Sequence, residues 1–199
     1  MSCKAEALIA AITLANARGG AVLDLATKCT YTLTTNVDGA GLPAITTPIT
    51  LNGGKHTTIT RAAADQFRIL TVEVGGNLTL NHLKLTGGQT ADDEGGGILV
   101  DTGGPLAVHH SAITRNIASG DGGGIANNGY LSATKTHIAN NNSGNSGGGV
   151  MRPTAARHSS ATAAASSTRS RAHSLSSRPR SSRTSPSSTV AASSTTAAQ

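Results

Sequence analysis

A chain of 199 residues with a formal charge of +6 and a hydrophobic fraction of 37% reads at first as one basic domain, but the average hides two different polymers. Residues 1–150 carry nine Lys and Arg against ten Asp and Glu, a net −1, together with all 24 glycines; residues 151–199 carry seven Arg and no acid, a net +7. An aromatic content of 2%, with no Trp, argues against surfaces that read RNA or single strands by base stacking, and no apolar run approaches the ~20 residues that span a bilayer.

In chain order, the first predicted element is a helix over residues 2–17. Leu8, Ile9, Ile12 and Ala15 recur at helical spacing, Ser2 offers an N-cap, and Gly19-Gly20 supplies the stop. A short amphipathic helix is the common cover for the raw apolar end of a repeat array, so residues 1–20 are expected to form a cap. The rival is a signal peptide ending in Ala15-Asn16-Ala17, against which stand Glu6 beside Lys4 and Thr13 within the apolar stretch. Strands are expected at residues 22–25 and 31–33. Cys3 and Cys29 are the only cysteines; a bridge between them would pin the helix to the first strands and contribute about 3.5 kcal/mol on the chain-entropy account, and free buried thiols are the alternative. They form no CxxC motif and cannot build a tetrahedral zinc site alone.

Residues 21–150 repeat. Gly95-Gly96-Gly97-Ile98 returns as Gly122-Gly123-Gly124-Ile125 and as Gly147-Gly148-Gly149-Val150, at steps of 27 and 25. A second marker keeps the same step: Leu78 to Leu85 aligns with Leu106 to Ile113 and with Leu131 to Ile138, and a weaker copy begins at Ile49. Within each unit apolar residues alternate, as in Leu78/Leu80 and Leu106/Val108, in runs too short to bury a face alone. Stacking solves that problem, because each coil bonds to the next at ~4.8 Å and aliphatic side chains line up inside. The period is too short for a propeller blade and lacks the helices of ankyrin or TPR units. The expected fold is therefore all-β: a right-handed parallel β-helix (β-solenoid) of about four coils, with an N-terminal capping helix and a disordered C-terminal tail. Asn116 and Asn141, 25 residues apart after the Ile113 and Ile138 strands, are expected to form a turn ladder.

The segments Ile113-Thr114-Arg115-Asn116 and Ile138-Ala139-Asn140-Asn141, each leading into a triple glycine and an aliphatic residue, resemble the polymorphic outer-membrane protein repeat. The opening, Cys3 and Ala7 to Ile12, then Cys29-Thr30-Tyr31-Thr32-Leu33, is similar to the start of bacterial right-handed β-helix proteins that carry such repeats. The resemblance covers roughly residues 3–150, with Ile113 and Ile138 where the family has Phe. It implies an exported or cell-surface protein, adhesin-like, with cell-surface glycans or host and cell-wall components as partners.

Residues 151–199 are Ser, Ala, Thr, Arg and Pro, a composition that cannot offset the entropy of ordering. Three readings stand: a basic arm for nucleic acid, a wall-spanning or glycosylated stalk, and a shifted reading frame that cuts the repeat after Val150. The last would leave an open final coil prone to edge-to-edge self-association.

Candidate chemistry is sparse. His82 and His110 fall 28 residues apart in matching positions with Lys135 next in register, and Asp92-Asp93-Glu94 and Asp121 each precede a glycine triplet. Carboxylates on adjacent coils are calcium-type ligands, and with Arg115 as base they would suit a polysaccharide lyase-like β-helix enzyme. The simpler reading keeps the acids as solubilising turn residues, the His/Lys ladder as a solvated face, and the His pair as at best half a metal site. His109 and His110, as strand neighbours, are expected on opposite faces. No nucleophile elbow, Walker loop, zincin helix or EF-hand loop is present. The expected role is accordingly non-catalytic, with no catalytic, cofactor or metal residues assigned.

Overall fold

Alternation at every second residue gives each short strand one apolar face, and stacking is the only way such strands can bury it. In the computed structural model, which describes residues 1–152 and the backbone of residues 162–165, the strands stack in parallel as a β-solenoid. One face is the ladder Ala21–Asp24, Pro48–Asn52, Asn77–Asn81, Pro105–His109 and the first half of Tyr130–Ala139. The next face stacks Thr30–Leu33, Thr58–Arg61, Lys84–Thr86, Ala112–Thr114 and the second half of Tyr130–Ala139. A short ladder of Gln89–Thr90, Ile117–Ala118 and Asn142–Ser143 leads to the last face, Leu70–Val72, Ile98–Val100, Ile125–Asn127 and Val150–Met151.

The first two ladders each pass through five coils, one more than the sequence suggests. The coil that escaped begins at Ala21 and closes through Asn36–Leu42 without a glycine triplet, so the marker of the repeat is missing there. Inside, columns run straight through the coils. Ile49, Leu78, Leu106 and Leu131 form one, and Tyr31, Ile59, Leu85, Ile113 and Ile138 another, all buried. Each such side chain contributes about 1.5–3 kcal/mol by leaving water.

The triple glycines do lie one above another. Gly97 donates to Gly123 O and Gly124 donates to Gly148 O, and the first glycine of each triplet, at residues 95, 122 and 147, has φ of 67°, 64° and 66°. The middle glycine approaches the neighbouring coil so closely that a Cβ on Gly123 would stand 2.0 Å from Asn142 O. Glycine is required at this corner for both reasons.

The cap helix is real but starts later than expected. It spans Ala5–Ala17, Lys4 occupies the N-cap position with no side-chain cap, and Ser2 lies outside it. Leu8, Ile12 and Ala15 are buried against the first coil. Asn16 fastens the helix end: its Nδ2 donates to Ala44 O (2.7 Å), and its Oδ1 accepts from Thr46 N (3.1 Å) and Thr47 Oγ1 (3.2 Å). Cys3 and Cys29 form a disulfide across the same junction.

Val150–Met151 carries the solenoid one residue past its expected end. The backbone of Thr162–Ala165 pairs in parallel with Tyr130–Ala139, along part of the edge that the sequence leaves open. The rest of the expected tail lies outside the described residues. No helix among the described residues is long and apolar enough to cross a membrane.

Candidate functional site

The corner joining the first two faces turns on one residue per coil. Lys28, His56, His82, His110 and Lys135 all have left-handed backbone, with φ of 53°, 61°, 53°, 48° and 51°. The ladders on either side place these five residues in register. A single residue in this conformation reverses the chain from one face to the next, and His tolerates it better than most side chains.

The residue after each is buried and locks the corner. Cys29, Thr57, Leu83, Ser111 and Thr136 form an inner column in the same register. Thr57 Oγ1 donates to Ala26 O (2.9 Å), Ser111 Oγ to His109 O (2.8 Å) and Thr136 Oγ1 to Val108 O (3.0 Å). With the inner residue anchored, the left-handed residue before it stands on the outside, and all five are exposed.

The three histidines of the outer column, His56, His82 and His110, line an open cleft of about 600 Å³ together with Lys55 and Lys84, and no carboxylate lines it. His82 and His110 stack at a centroid distance of 4.9 Å with planes 5° apart. Stacked rings direct their nitrogens alongside one another rather than toward a shared point, and no cluster of three or more His, Cys, Asp or Glu among the described residues could hold a metal. Desolvation lowers the His110 pKa below the ordinary 6.5, and the like charges of His82, Lys135 and His109 lower it further.

Placed in three dimensions, the sequence candidates separate. His82, His110 and Lys135 share the corner column as their spacing indicates. His109 and His110 do not alternate between faces: the strand ends at His109, and His110 is the left-handed corner, so both stand on the outer surface. The acids are occupied as staples. Asp93 forms an ion pair with the buried Arg68 and accepts from Glu94 N (2.8 Å), Glu94 Oε1 accepts from Asn128 (2.7 Å), and Asp121 Oδ1 accepts from Ser146 N (2.7 Å). Asp92 is exposed. Arg115 occupies a different left-handed corner, stacked between Gly87 and Asn140.

Asn116 and Asn141 form the expected ladder, on the inside. Asn116 Oδ1 accepts from Gly88 N (2.9 Å), and Asn141 Oδ1 accepts from both the backbone and the side chain of Asn116 (2.9 and 3.0 Å). Sequence reading missed His56 and Lys28 as members of the basic column. The signal was there, because stepping back 26 and then 28 residues from His82 lands on them, but no glycine triplet marks those coils. Compared with protein-family models, curated proteins and solved structures, the chain has no match in any of the three.

Proposed function

We propose that this chain is a non-catalytic β-solenoid module of an exported or cell-surface protein, adhesin-like in action, that presents columns of polar side chains to glycans. The observation that carries the reading is the pair of outward columns on one edge of the solenoid. Beside the basic corner runs Asp24, Asn52, Asn81 and His109, in register, with Asn81 Nδ2 donating to Asn52 Oδ1 (2.8 Å) and Asn52 Nδ2 to Asp24 Oδ1 (2.9 Å). Amides held in file at strand spacing are a preorganised row of donors and acceptors for hydroxyl-rich polymers, with little ordering left to do on binding.

The disulfide between Cys3 and Cys29 supports the exported setting, since such bonds persist in oxidising compartments. The sequence resemblance to polymorphic outer-membrane protein repeats points the same way. In the enzyme alternative Asp93, Glu94 and Asp121 would act on substrate, and here they staple loops. The nucleic-acid alternative rests on the basic segment outside the described residues.

The test has two arms. Antibody labelling of intact source cells reports display, and a carbohydrate array probed with the full chain reports binding. Surface labelling together with array signals that fall on substituting Asn52 and Asn81 supports the reading. Labelling only after permeabilisation and a blank array overturn it.

A further inference from the structure

Every coil spends a left-handed backbone position at the same corner, and none of the five is filled by glycine or asparagine, the residues that take that conformation most readily. A side chain other than glycine costs roughly 1 kcal/mol or more at such a position. Elsewhere this chain largely avoids that cost: Gly95, Gly122 and Gly147 fill one left-handed column, and Gly75 and Gly103 begin another. At the corner between the first two faces, five coils in succession carry Lys, His, His, His and Lys. Strain kept at five stacked positions in a glycine-rich chain points to work done by the side chains.

Those side chains make a cationic groove. Lys55 and Lys84 line the cleft, Lys28 and Lys135 stand at the two ends of the column, and His56, His82 and His110 add three imidazoles, the side chain whose type changes charge nearest neutral pH. His109, His137, Arg61, the buried Tyr31 and the exposed Tyr130 are the other titratable or charged groups on the flanking strands, and the one carboxylate there, Asp24, is hydrogen-bonded to Asn52. With the rings of His82 and His110 stacked in parallel, their charges add along a line. Rungs repeat at ~4.8 Å, about the advance of one sugar along an extended polysaccharide, so a polymer with an acid on every sugar meets one basic group per rung.

We propose that the column Lys28, His56, His82, His110 and Lys135, rimmed by Lys55 and Lys84, is a binding groove for a linear carboxylated polysaccharide of the polyuronate class, gripped more tightly as pH falls. The inference rests on the glycan-binding reading above and names the ligand class for it. Nucleic acid is the weaker occupant, because no Phe, Tyr or Trp lines the cleft as a stacking platform for bases, and the rings of His82 and His110 are already stacked on each other.

The experiment titrates polygalacturonate into the full chain at about pH 5.5 and about pH 7.5, on either side of imidazole protonation. The variant is His56→Asn/His82→Asn/His110→Asn, since Asn accepts left-handed backbone and removes only the titrating group. Thermal melting checks its fold, and the corresponding triple glycine substitution serves as a second variant that relaxes the corner. Wild type should bind about tenfold more tightly at the lower pH, the sum of three exposed ion contacts, and either variant should lose most of that ratio. Lys84→Gln/Lys135→Gln should weaken binding at both pH values. Equal binding by wild type and variants overturns the proposal, and so does duplex DNA binding through the same residues. Binding of neutral glycans that ignores these substitutions overturns the groove while leaving the broader glycan-binding reading intact; no glycan binding of any kind removes both.

Discussion

His82 and His110 lie ring on ring, 4.9 Å apart, at two successive left-handed corners of the solenoid. Proximity makes His82 a penalty on the charge of His110, which also faces Lys135 and His109. Its folded pKa therefore sits below 6.5, with desolvation as the leading cause. The folded chain then holds fewer protons than the unfolded chain across the interval between the two pKa values. Stability from this group is present above 6.5 and is lost as pH falls through the folded pKa. His110 is exposed, so the loss is small. An NMR titration should place its midpoint below 6.5, and Lys135→Gln or His82→Asn should move it upward. A midpoint at or above that value, unmoved by either substitution, would contradict the stacked-charge account.

Asp93 is paired with Arg68. The Arg68 guanidinium is buried, pairs with Asp93, donates to Glu94 O (3.2 Å), and leaves its Nε without a partner among the described residues. Asp93→Asn removes the balancing charge from a buried cation, a loss expected at about 1–3 kcal/mol because Asp93 itself is half exposed. Asp92→Asn, next door and exposed, should stay within about 0.5 kcal/mol of wild type. Chemical denaturation of the two variants separates them, and equal effects would remove the staple.

Glycines of this chain divide by what they avoid. Gly123→Ala would drive a Cβ to 2.0 Å from Asn142 O, a backbone atom of the next coil that cannot step aside. Gly103 has φ of 86° but open space around it, so Gly103→Ala meets only the conformational cost, about 1 kcal/mol. Gly123→Ala should cost roughly 1–3 kcal/mol or more, since separating two coils also stretches the ladders on both sides. Melting temperatures should fall in that order, and the reverse order would show that the triplets do not mark the tight contact between coils.

The parts of this molecule legible in the sequence were those written in repeating chemistry. Leu78, Leu106 and Leu131 announce their column by spacing, and the triplets at Gly95, Gly122 and Gly147 announce the corner. The first coil was legible in its two strands, expected at 22–25 and 31–33, and not as a turn of the repeat, because Asn36 to Leu42 turns without a triplet. Lys28 in that coil and His56 in the next, which also lacks a triplet, were missed as column members, although the ladder Thr30, Thr58 and Lys84 puts them under His82. The misplacement of His110 has another cause: alternation presumes a continuing strand, and one left-handed residue breaks it without leaving a mark of composition. The ion pair of Arg68 with Asp93 joins residues on adjacent coils 25 positions apart, a step readable only once the register is known.

Two buried asparagines test how the interior treats a polar group. Asn116 is fully satisfied: its Oδ1 accepts from Gly88 N and its Nδ2 donates to Asn141 Oδ1. Asn127 stands in register with Val100, which lies over Val72, so it interrupts an aliphatic column, and neither its Nδ2 nor its Oδ1 has a hydrogen-bond partner among the described residues. The same substitution should therefore act with opposite sign at the two sites. Asn127→Val removes an unmet amide and continues the column, a gain expected at about 1–3 kcal/mol. Asn116→Val strands the Gly88 N–H inside the solenoid and leaves the Asn141 oxygen with the backbone N–H of residue 116 as its one remaining donor of the two, a loss of similar size. At about 2–4 °C per kcal/mol for a chain of this length, calorimetry resolves both shifts. Destabilisation by Asn127→Val would mean that the amide does have a partner at the last coil, and the column would then be capped by design rather than interrupted.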